Sequence, residues 1–397
     1  MKIIVFVLAV LCCMFSACST SEPNIITDPP EEKEEITLEI VDKNATHETK
    51  ALLSNLWDIQ SQSGLMFGHH DDLIYGRDWK SIQDRSDTKE VCGDYPAVFS
   101  LDFAQIMGAR SVNVEFNADR RRTILEARER GEVITACVHL DNPLTGGDAW
   151  DNSDNTVVQQ ILIEGSDTNI KFKSWLDNLA TFLSDLKDSE GALIPIIFRP
   201  FHEHTQTWSW WGQSMTTADE FIGLWKFTIH YLRDEKGVHN LIYAISPQLD
   251  FASNKEKILF RWPGDDYVDF IGMDSYHGRN TDALNANAKI LEELSIEKKK
   301  PCGITETGIE GVRNSDGSNY ANYWTKEILT PLIGKEISMV VLWRNKYDPT
   351  HEGHHFYGPW KGHNSAQDFV TFYKSSFTRF SSDLPDMYEM AEGITIQ

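Results

Sequence analysis

The chain is short of positive charge: 37 Lys and Arg stand against 60 Asp and Glu, a formal net charge of -23. A polyanion would be repelled, which argues against nucleic acid as a partner and leaves neutral or cationic ligands. No glycine-rich phosphate fingerprint, P-loop or internal repeat occurs, so the nucleotide-binding and solenoid readings fall away. Long apolar runs are also missing. The best candidate, Ile3 to Met14, is too short to cross a membrane.

That run has another use. Lys2 precedes it and Phe15-Ser16-Ala17-Cys18 follows, so residues 1–17 resemble a bacterial lipoprotein signal peptide. Cleavage before Cys18 would leave a lipidated cysteine, a membrane tether of an outer-membrane lipoprotein facing the cell surface or the periplasm. Residues 18–45, with Pro23, Pro29, Pro30 and the acidic run Glu31 to Glu35, show no apolar period and read as a disordered tether. Of six cysteines, Cys12 and Cys13 leave with the leader and Cys18 carries lipid. Cys92, Cys137 and Cys302 then remain as free or buried thiols, with no structural bridge expected.

Residues 46–397 hold eight short apolar runs: Leu65 to His70, Ala97 to Phe103, Val133 to Leu140, Leu193 to Phe198, Leu241 to Ser246, Val268 to Met273, Cys302 to Thr305 and Ile337 to Trp343. Amphipathic stretches such as Asp119 to Arg130, Ile170 to Lys187, Ala218 to Glu235 and Asn285 to Lys299 lie between them. Nearly continuous apolar strands alternating with helices predict an α/β fold, a single (β/α)8 barrel.

Barrel enzymes carry their chemistry where strands end. Here the strands end in Gly68-His69-His70-Asp71-Asp72, Asp102, His139 to Pro143, Arg199 to His204, Asp274 to His277, Glu306, and Trp343-Arg344-Asn345. Folding stability does not ask for that. Glu203 ends the fourth strand and Glu306 the seventh, so their side chains can converge over the mouth; paired carboxyls are the machinery of glycoside cleavage. His202, His204 and Tyr276 are candidates for tuning them. The twelve tryptophans exceed core needs, and Trp208, Trp210 and Trp211 crowd beside Glu203, where flat rings would stack on sugar faces. Trp57, Trp79, Trp175 and Trp225 are assigned to packing between helices.

The motifs RPFHEHTQTWSWWG, VHLDNP, GMDSY, ITETG and VLWRN, in this order, resemble glycoside hydrolase family 26, whose best-known members are endo-β-1,4-mannanases. The resemblance runs from about Leu65 past Asn345. It implies a retaining barrel enzyme without a cofactor or metal, with Glu203 as acid/base and Glu306 as nucleophile; Glu310 is the weaker candidate. His139 and Trp150 match residues lining the glycone subsites, His202 and Trp208 flank the point of cleavage, Asp274 and Tyr276 lie near the nucleophile, and Trp343 matches the platform beside the scissile bond. The implied partner is β-mannan or a manno-oligosaccharide, and the enzyme is expected as a monomer. Loops 141 to 160 and 345 to 365 would set the number of subsites.

Three rivals remain. A metal-dependent hydrolase could draw ligands from His69-His70-Asp71-Asp72 and His202-x-His204, although adjacent strand residues point to opposite faces. A non-catalytic glycan-binding lipoprotein would not need a second carboxylate. Within the family, mixed-linkage β-glucan or β-xylan could replace mannan.

Overall fold

The computed structural model describes residues 35–110, 117–347 and 355–397. The signal peptide, Cys18 and most of the expected tether lie outside them. Eight parallel strands form the barrel, numbered here β1 to β8: Leu65–His70, Val98–Asp102, Val133–Cys137, Ile196–Arg199, Leu241–Ile245, Phe270–Ser275, Cys302–Thr307 and Met339–Leu342. Each pairs with the next, and β1 closes on β8 through Met66↔Met339 to His69↔Leu342. Every strand residue is buried, because helices cover the outside while side chains fill the inside. That double burial is why the strands read as unbroken apolar runs.

The bottom of the barrel is closed by sequence-distant pieces. Ile40, Leu52, Leu53, Met387 and Tyr388 pack against the barrel residues Met66, Val133, Ile242 and Met339. Ile36–Leu38 pairs in parallel with Ile394–Ile396. Leu38 is fully buried, and Asp269 accepts the Val41 amide at 2.7 Å. The folded domain therefore already includes Ile36, and the tether expected to reach residue 45 cannot extend past 35.

Cap residues set the helix limits. The expected helices are Asn117–Glu129, Asp167–Ser184, Ala218–His230 and Thr281–Lys298; the third continues as a wider turn over Tyr231–Glu235. Ser166, Thr217 and Asn280 cap three of them by accepting from backbone amides one turn in. Among the described residues, no helix is long and apolar enough to cross a membrane.

Register shifts occur at the mouth, between Met273 and Asp274 and between Ile304 and Thr307. Such irregularities re-aim side chains, and these two flank Asp274 and Glu306.

Candidate active site

Glu203 and Glu306 reach the mouth by different means. Glu306 sits within β7, 2% exposed; Glu203 follows β4 with φ of 54°, its amide held by Ser246 O at 2.8 Å. A carboxylate oxygen from each, together with one from Asp274, lies within 4.8 Å of the others. Three acidic groups so close need a counter-charge. Arg199 supplies it, donating to both Asp274 oxygens at 2.9 and 3.0 Å and to Glu306 Oε1 at 2.5 Å. Burial disfavours the guanidinium charge, but Asp274 and Glu306 outweigh it and hold Arg199 protonated above its usual range.

The two glutamates sit in unequal surroundings. Glu306 accepts from Arg199 and, at 3.1 Å, from the Tyr276 hydroxyl. Among the described residues Glu203 accepts from Trp208 Nε1 alone, at 2.5 Å, and burial followed by the charges of Glu306 and Asp274 pushes its carboxyl well above the usual range. Glu203 is thus set to hold a proton beside Glu306. Burial and the Glu306 charge likewise raise Tyr276, keeping its hydroxyl a donor.

A cleft of about 440 Å³ opens over this pair. His139 stacks on Trp150 at 5.9 Å and on Trp208 at 5.7 Å, and Trp150 meets Trp208 at 5.2 Å, so one wall is aromatic. Asp102 holds His139 Nδ1 at 2.9 Å. Trp343 also meets His139, at 5.8 Å, is backed by the His70 ring at 4.2 Å, and its Nε1 donates to His355 at 3.2 Å. His202 packs edge-on against His139 at 4.6 Å, and burial lowers its imidazole well below its ordinary range, so it is neutral.

All of the expected site residues line this cleft except Asp274. Asp274 is fully buried, bound to Arg199 and to Thr305 Oγ1 at 2.7 Å, so it orients the arginine instead of meeting a sugar. Three further expectations are corrected. His204 turns away from Glu203, stacking on Phe221 at 4.5 Å with Nε2 at 3.0 Å from Phe260 O. Trp210 and Trp211 are fully buried, their indoles donating to Leu140 O and His202 O, so only Trp208 of the three can touch a ligand. Trp57, Trp79, Trp175 and Trp225 are buried as expected, and Cys92, Cys137 and Cys302 are free. Glu310 faces His355 at 3.8 Å and does not line the cleft.

The metal-ligand pairs of the rival reading come apart: His204 leaves His202, and His69 bonds Asp72 at 3.0 Å while His70 backs Trp343. Two other clusters have ligand spacing among the described residues. In Glu203, Asp274 and Glu306 the Arg199 guanidinium already bonds Asp274 and Glu306; in Cys137, His139 and His202, burial raises the thiol well above its ordinary range. Sequence reasoning missed Gln248, Arg110, His355 and Tyr357 in the cleft. They lie in loops, and no periodicity announces them.

An eight-stranded parallel barrel with facing carboxylates from β4 and β7 beneath an aromatic cleft is the architecture of the barrel glycoside hydrolases. Residues 41–311 match Glycosyl hydrolase family 26, and the chain belongs to that family. The fold is similar to a family 26 β-mannanase from Bacteroides ovatus: TM-score 0.80, 39% identity, 87% of this chain and 98% of that one. It is also similar to a modular endo-β-1,4-mannanase from Cellulomonas fimi: TM-score 0.80, 30% identity, 90% of this chain and 81% of that one. In sequence it is 31% identical over 362 residues to a mannan endo-1,4-beta-mannosidase of Bifidobacterium adolescentis. That alignment takes in 86% of this chain but 35% of the relative's length.

Proposed function

We propose that the protein is a retaining glycoside hydrolase that cuts β-1,4-mannosidic bonds in mannan, galactomannan or glucomannan by double displacement. Glu306 attacks the anomeric carbon while Glu203 gives its proton to the departing oxygen, leaving a covalent glycosyl-enzyme. Glu203, now a base, takes a proton from water, which attacks the same carbon and frees Glu306. The observation that carries this reading is the separation of the two carboxyls. Oxygens within 4.8 Å suit direct attack, for which about 5–5.5 Å is usual, and leave no room for the water that an inverting pair seats across roughly 6.5–9.5 Å.

Mannan as substrate is supported by the relatives' activities. Lipidation of Cys18, anchoring the domain to the outer membrane, completes the proposal; Cys18→Ala should then release the protein from the membrane fraction.

The decisive test is the product's first-formed anomer, read by proton NMR during hydrolysis of β-mannan. The β-anomer is expected, and Glu306→Ala should abolish its formation; an α-anomer, or full activity in Glu306→Ala, would overturn the mechanism. Barley glucan and xylan run in parallel test the choice of sugar.

A further inference from the structure

Among the described residues, Trp150 and Phe251 are the two strongly exposed Trp or Phe side chains, 49% and 77% exposed. Trp150 lines the cleft. Phe251 lies outside the lining residues, yet its loop begins in the cleft: Gln248, which follows β5, is one of its walls. Around the barrel β5 stands across from β1, whereas Asp102, at the end of β2, and Arg344, after β8, belong to the strands on either side of β1. Phe251 is three residues further on, within about 11 Å of chain.

The loop that carries it is clamped from beneath. Fully buried Asn287 donates to Phe251 O at 2.9 Å and accepts the Ser253 amide at 2.8 Å. Asp250 accepts the amide of Tyr276 at 2.7 Å and the Gln248 side chain at 2.8 Å, and Thr205, two residues after Glu203, bonds Gln248 at both its amide and its carbonyl, 2.9 Å each. The backbone on either side of Phe251 is therefore tied to the elements that carry Glu203 and Tyr276. The clamp fixes where the exposed ring meets solvent.

We propose that Phe251 is a stacking platform for a hexose of the polysaccharide chain beyond Gln248, and that it favours long substrates over short ones. The inference rests on the mannan-cleaving reading given above. A ring face offered to solvent matches the apolar face of a pyranose, and a chain lying in the cleft leaves it past Gln248.

The test compares Phe251→Ala with the parent enzyme on mannohexaose and mannotriose. The kcat/KM on mannohexaose should fall about tenfold, equivalent to ~1.4 kcal/mol, with mannotriose unchanged. The melting temperature should not move, because the side chain contributes little to the core, and Phe251→Trp should restore cleavage of mannohexaose. Equal effects on both oligosaccharides, or none on either, would overturn the platform alone. A parent enzyme inactive on mannohexaose would overturn the mannan reading, and this inference with it.

Discussion

The loop from Arg199 to Gly212 has two faces with opposite jobs. Toward the cleft it presents His202, Glu203 and Trp208; into the core it sends Phe201, His204, Trp210 and Trp211. The sorting is done by backbone, not by residue type. Phe201 and Glu203 both have φ of 54°, a left-handed conformation that costs non-glycine residues about 1–2 kcal/mol each. These turns throw neighbouring side chains to opposite sides. The buried face holds the turns in place, since the Trp211 indole donates to His202 O at 2.9 Å and the Trp210 indole to Leu140 O at 3.0 Å. The strain at the reacting glutamate is thus sustained by packing that never meets a substrate.

Two substitutions within nine residues should separate the faces. Glu203→Ala is expected to lower kcat/KM on β-mannan by about 10³-fold, within the range usual for a general acid, while much activity persists on aryl mannosides whose leaving groups need no proton. Its melting temperature should hold or rise, because the cost of burying a carboxyl disappears. Trp211→Ala should do the reverse. Removing a fully buried indole costs about 3–5 kcal/mol of stability, read by chemical denaturation, while the folded fraction keeps its turnover to within about an order of magnitude. If Trp211→Ala instead lost activity without losing stability, the division between the faces would be wrong.

This division also explains what could be read from sequence. The eight strands were legible because burial on both sides leaves continuous apolar runs, and Glu203 and Glu306 because they stand where such runs end. Trp208, Trp210 and Trp211 were not separable: the turn at Glu203 depends on Ser246, more than forty residues downstream. Asp274 read as a cleft residue for a similar reason, since the register shift that tucks it behind Arg199 belongs to the pairing of β6 with β7. Ile36 to Leu38 passed for tether because its partner, Ile394 to Ile396, lies at the other end of the chain. Local pattern carries elements and strand-end chemistry; contacts distant in sequence decide which side chains reach the substrate.

The smallest expected effect tests how the cleft face tunes its acid. Trp208 Nε1 donates to Glu203 Oε2, a bond that stabilises the ionised form and partly offsets the upward push of burial, Glu306 and Asp274. Trp208→Phe removes the donor and keeps an aromatic ring beside His139 and Trp150. With less to favour the carboxylate, the Glu203 pKa rises further. Because Glu203 must be protonated to act as acid, the basic limb of the kcat/KM profile should move to higher pH, by roughly half a unit to one unit for a bond worth ~1 kcal/mol. The acidic limb should stay. A basic limb that stood still or moved to lower pH would mean that Trp208 contributes only its ring face, and the difference between the two sides of the loop would then lie in burial alone.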